Sequence, residues 1–167
     1  FLIERGAIAQ EKTKSGFSSL YVACEHGFLD LVKYLVRASC AEEARLLKLT
    51  MHDPQREDFI IKKILTERMS KGYFPLYVAC SFKRIEVARF LIQMGADVNQ
   101  KTEEGYFPLS YAASNGNLEV VKLLVEEGNC DINQRKNDGF FPIYSAAQFG
   151  HLEIVKYLHE HGASIEM

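Results

Sequence analysis

The chain has 167 residues, with 20 lysines and arginines against 22 aspartates and glutamates, and a formal net charge of −2. Without a basic excess it has little with which to neutralise a phosphate backbone or sit on an anionic bilayer, so neither nucleic acid nor a membrane is an expected partner. At 47 % hydrophobic and 25 % charged it can build a folded interior, which excludes disorder as its class.

The opening stretch "FLIERGA" reads like the close of a unit resembling those that follow. Residues 1–13 are therefore expected to end a preceding unit, and the chain, which opens on Phe1, to be an excerpt. No apolar run approaches the roughly 20 residues that cross a bilayer, and there is no N-x-S/T acceptor.

Four in-phase lines then follow: "KSGFSSLYVACEHGFLDLVKYLV" in 14–37, "SKGYFPLYVACSFKRIEVARFLI" in 70–101, "EEGYFPLSYAASNGNLEVVKLLV" in 102–135 and "NDGFFPIYSAAQFGHLEIVKYLH" in 136–167. Gly72, Gly105 and Gly139 are 33 and 34 residues apart. In the last three lines a turn precedes Pro75, Pro108 or Pro142, which suits the first turn of a helix because no N–H is needed there. Leu109, Ala112 and Ala113 make a thin apolar seam at i, i+3 and i+4, whose alanines let a neighbouring helix approach closely. A bulkier second helix carries Leu118, Val121, Leu124 and Val125, or Leu152, Val155 and Leu158, before Gly128 or Gly162. One such helix pair cannot bury its own apolar faces, but a stack of them can. The expected fold is an all-α solenoid of helix-turn-helix units.

Cys24 and Cys80 fill one slot in two copies of "YVAC", and with Cys40 and Cys130 they form no C-x-x-C pair. They read as small packing residues in a reducing compartment, cytoplasmic or nuclear.

Residues 38–69 break the rhythm, since Leu20 and Leu76 are 56 residues apart, 23 more than one period. Ser39-x-x-Glu42 reads as a capping box and Asp53-Pro54 as a second helix start, followed by an apolar stripe of Ile60, Ile61, Ile64 and Leu65. A degenerate unit that kept its helices and lost its turn is the favoured reading, and an insertion is the alternative. Either one leaves an expected gap in the row of turns after the first copy.

The period and the motifs "GYFPLYVAC", "GHLEIVKYL" and "GADVN" resemble the ankyrin repeat family, strongly over 70–167 and well over 14–37. The resemblance implies an L-shaped stack with β-hairpin or turn fingers and a concave face lined by the first helices. Where the family usually has Thr and His, this chain has Phe74 with Tyr77, Phe107 with Ser110, Phe141 with Tyr144, and Ser18 with Tyr21. Aromatic packing is expected to replace that hydrogen bonding, with the three phenylalanines buried at the finger base.

No catalytic motif is present, and no catalytic, metal or cofactor-binding residue is assigned. His159 and His161 are two apart and diverge on a helix, and His151 reads as a helix-start residue. The pairs Glu42-Glu43, Glu103-Glu104 and Glu126-Glu127 read as solvated surface. By resemblance, Phe17, Tyr73, Tyr106 and Phe140 follow the turn glycines onto the fingers, while His26, Phe82, Asn115 and Phe149 follow the first helices toward the concave groove. These eight residues are the candidate partner-binding surface of a monomeric, non-catalytic module for another protein or peptide. A regulatory or targeting arm of a larger enzyme, channel or effector is the second expectation, and a nucleotide-binding ankyrin domain the third.

Overall fold

The computed structural model describes residues 13–14, 17–46 and 54–165. Among these, nine helices follow one another: α1 Ser19–His26, α2 Leu29–Leu46, α3 Pro54–Thr66, α4 Pro75–Ser81, α5 Ile85–Gln93, α6 Pro108–Ser114, α7 Leu118–Glu126, α8 Pro142–Gln148 and α9 Leu152–Glu160. The prolines stand at the first positions of α4, α6 and α8, each after an extended phenylalanine, as the chain pattern requires. α1 has no such proline, and Ser18 Oγ instead accepts from the Tyr21 N–H at 3.3 Å.

The short helices form one layer in which α1 packs on α4, α4 on α6 and α6 on α8. Leu109, Ala112 and Ala113 are fully buried along this seam. The longer helices form the second layer, with α2 against α5, α5 against α7 and α7 against α9. Val121, Leu124, Ile154 and Leu158 fill the space between the layers, each contributing about 1.5–3 kcal/mol of burial. Among the described residues no helix is long and apolar enough to cross a membrane.

Residues 38–69 do not behave as the capping box implied. α2 runs unbroken through Ser39, which is buried inside it. Val32, Leu35, Val36, Ser39, Cys40 and Ala44 continue one helical stripe, and burial of that stripe outweighs the local capping preference. Pro54 does open α3, whereas the cap expected of Asp53 lies outside the described residues. Ile60, Ile64 and Leu65 of α3 are buried, and α3 packs on α2, where Lys63 and Glu43 form an ion pair. The segment thus lengthens the outer layer and places no helix between α1 and α4.

The expected gap in the finger row is consequently absent. Ser18 Oγ lies 3.9 Å from Met69 Sδ, joining the first and second fingers directly. The fingers are tight turns, and among the described residues they build no extended strand. Each closes by the same backbone bonds: Met69 N–H to Tyr73 O at 2.7 Å, Thr102 N–H to Tyr106 O at 2.7 Å and Lys136 N–H to Phe140 O at 3.0 Å. A ladder of side chains stitches the opposite edge. Asn99 Oδ1 accepts from the Asp131 N–H at 3.0 Å, and Asn133 Oδ1 accepts from the Ser164 N–H at 2.8 Å.

Candidate partner-binding groove

The finger bases are built as the aromatic substitutions implied. Phe74, Phe107 and Phe141 are 1 %, 0 % and 6 % exposed, so they are core residues and unavailable to a partner. The residue four places after each finger aromatic answers it. Phe17 lies 4.4 Å from Tyr21, Tyr73 lies 5.3 Å from Tyr77, and Phe140 stacks on Tyr144 at 4.2 Å with the planes 6° apart. In the remaining unit Ser110 takes that place, accepting from Phe107 N–H at 3.0 Å and donating to Phe107 O at 2.8 Å. Rings of this kind each add about 0.5–1.5 kcal/mol beyond their buried area.

Six of the eight sequence-selected residues converge on two adjoining concavities between fingers and short helices. The first, about 140 Å³, is lined by Tyr21, Tyr73, Tyr77, Ser81, Phe82 and Tyr111. The second, about 510 Å³, includes Tyr106, Tyr111, Asn115, Phe140 and Phe149 in its wall. Tyr111 belongs to both, and its ring meets Tyr77 edge-on at 5.4 Å. Phe82 and Phe149 are 42 % and 59 % exposed, so their rings are open to a partner.

Phe17 and His26 line neither concavity. Phe17 is half-buried against Tyr21, and the His26 ring stacks on Phe28 at 5.6 Å while its Nδ1 lies 2.9 Å from Val22 O.

Among the groove residues that escaped the sequence reading are Tyr111, Lys136 and Asp138. Tyr111 was legible, because "LSYAA" moves the tyrosine of "LYVAC" one place along, turning it about 100° around the helix. Lys136 belongs to a finger, where no helical period marks it. Its Nζ lies 2.8 Å from Asp138 Oδ2 and over the Tyr106 and Phe140 rings, 5.1 and 5.7 Å from their centroids. The hydrogen bond from Lys136 holds the Asp138 carboxyl below its usual range. Burial pushes the Tyr77 and Tyr21 hydroxyls up, so both remain neutral at physiological pH.

Several polar residues outside the groove have structural partners. His151 Nε2 lies 2.9 Å from Ser114 O in the preceding unit, and Arg84 Nε donates to Glu25 O at 2.8 Å from the same place in its own unit. His161 stacks on Tyr157 at 4.0 Å, with Nδ1 2.7 Å from Tyr157 O. Glu126 accepts from the Tyr157 hydroxyl at 2.8 Å, whereas its neighbour Glu127 pairs with Arg89. Among the described residues no cluster of three His, Cys, Asp or Glu could hold a metal ion.

Turn, short helix and long helix repeat in register from α4 to α9, with α1 and α2 stacked before them in the same two layers, which is the build of a repeat solenoid. The family described as ankyrin repeats (3 copies) matches residues 1–102 and 95–167, and the chain belongs to the ankyrin repeat family. No curated protein matches it. Ankyrin repeats are generally protein–protein interaction modules, and the family is typically non-catalytic.

Proposed function

We propose that this chain is a non-catalytic interaction module that holds a protein or peptide partner in the groove from Tyr73 to Phe149. The observation that supports this most is the convergence of Tyr73, Phe82, Tyr106, Asn115, Phe140 and Phe149 on two concavities joined at Tyr111. Hydrogen-bonded finger turns carry Tyr73, Tyr106 and Phe140, and the ends of α4, α6 and α8 carry Phe82, Asn115 and Phe149, so a partner meets a surface already in place and loses little to ordering it. The four thiols are unpaired, with Cys24, Cys40 and Cys80 buried, in keeping with an intracellular monomer, cytoplasmic or nuclear.

The test is capture of partners by the intact chain and by Tyr106→Ala/Phe140→Ala, read by mass spectrometry. The double variant is expected to lose capture while melting only a few degrees lower, because both rings sit half-buried on an intact stack. A second pair, Phe82→Ser/Phe149→Ser, removes exposed rings and guards against misfolding as the cause. Undiminished capture by both folded variants would remove this groove from consideration.

A further inference from the structure

Tyr21, Tyr73, Tyr77, Phe82 and Tyr111 wall one concavity, and Tyr106, Tyr111, Phe140 and Phe149 wall the next. The charged residues lining them are Lys136 and Asp138, which neutralise one another at 2.8 Å. The groove therefore presents aromatic faces, tyrosine hydroxyls and the amides of Asn115 and Gln148, with no net charge of its own. An acidic ligand would shed its hydration there without meeting an unpaired cation, and the Glu25 and Glu104 carboxylates near the Tyr21 and Tyr77 hydroxyls would repel it. The hydroxyl and amide donors of the lining suit a chain that presents unbonded backbone carbonyls to them.

The stack also imposes a repeat along the groove. Helices packed side by side lie about 8–10 Å apart. A polyproline II strand advances about 9.3 Å in three residues and returns its side chain to the same face, leaving its carbonyls unbonded. A β-strand covers that distance in three residues as well, but its third side chain points to the opposite face. An α-helix satisfies its own carbonyls and is about 10 Å wide.

We propose that the groove takes a proline-rich segment in the polyproline II form, one proline face meeting each successive unit against the Tyr73–Tyr77–Tyr111 and Tyr106–Phe140–Phe149 walls. This rests on the interaction-module reading above and names its ligand class.

The experiment selects a displayed random dodecapeptide library on the intact chain, in parallel with Phe82→Ser/Phe149→Ser matched for melting temperature. Peptides enriched on the intact chain and absent from the variant are expected to carry prolines spaced three apart. A synthetic copy should lose about tenfold in affinity for each such proline changed to alanine. Its affinity should hold steady from about 50 to about 300 mM salt, since no charge pair is formed. Groove-dependent peptides lacking that spacing would overturn the proline-rich assignment and leave the interaction module standing. No groove-dependent peptide at all would also overturn it, and capture with Tyr106→Ala/Phe140→Ala then judges the module separately.

Discussion

A methyl group built on Gly116 would come within 2.8 Å of His151 Cε1, because the imidazole of one unit lies directly over the glycine of the unit before it. Gly150 occupies the equivalent place one unit on, and nothing approaches its position within 4 Å. Both have positive φ, 70° and 76°, so alanine carries the same backbone strain of about 1–2 kcal/mol at either site. Gly116→Ala must in addition displace His151 from Ser114 O, a hydrogen bond worth about 1 kcal/mol. Urea denaturation should therefore show Gly116→Ala less stable than Gly150→Ala by about 1 kcal/mol or more. Equal losses would mean that the ring moves aside at no cost.

Asn99 and Asn133 hold their neighbouring loops by the same bond, to the N–H groups of Asp131 and Ser164. Asn133 also donates from Nδ2 to Gly162 O at 3.2 Å. Replacing either by alanine should cost about 1–2 kcal/mol in urea melts, since a side-chain acceptor disappears from an ordered turn. Hydrogen exchange should then rise first at the Asp131 amide for Asn99→Ala and at the Ser164 amide for Asn133→Ala. Uniform loss of protection along the chain would argue that these bonds do not act locally.

Tyr77 is 5 % exposed and touches Phe74, Tyr73 and Tyr111. Tyr77→Ala should cost about 3–5 kcal/mol by opening a cavity among these rings. Tyr77→Phe keeps the ring and should stay within about 1 kcal/mol of the parent. Thermal melts of both variants separate packing from the hydroxyl; a large loss with phenylalanine would assign the stability to the hydroxyl instead.

Burial raises the Cys24 thiol from 9.0 to about 12 and pushes the fully buried Cys80 thiol up as well. A folded-state value above the unfolded one means that the native chain keeps protons the unfolded chain releases. Stability is thus fully present below pH 9 and falls as pH rises toward 12, by up to about 1.4 kcal/mol per pH unit for each such thiol. Urea melts at rising alkaline pH should trace this decline, and Cys24→Ala/Cys80→Ala should make it shallower, the remainder coming from the other groups that burial raises, Tyr21, Tyr77, Cys130 and Tyr157 among them. At pH 8 a thiol reagent should leave both cysteines unmodified until denaturant is added.

Much of the fold was legible in the chain. The prolines opening α4, α6 and α8 and the alanine seam appear where their spacing placed them, and Val121, Leu124 and Leu158 are buried as expected. Leu152, however, is 60 % exposed and Val155 half-buried while Ile154 takes the inward place, because the inward face of α9 is set by the helices it packs on. Phe74, Phe107 and Phe141 were readable as finger-base core because they replace a small hydrogen-bonding residue beside a proline. Ser39 misled, since a local capping signal competes with a helical stripe whose partners lie on α3 and become visible only after folding. Lys136 was hidden for a similar reason: its contact with Tyr106 crosses from one finger to the one before it.

The sequence by itself determined the period, the order of short and long helices in the regular units and the seam of the short helices, because these follow from local backbone preference and apolar spacing. Only the tertiary structure decided that α1 stacks on α4 across the long segment, and that Tyr111 joins the two halves of the groove. Which faces meet depends on complementary surfaces brought together from distant parts of the chain, and no local pattern carries that choice.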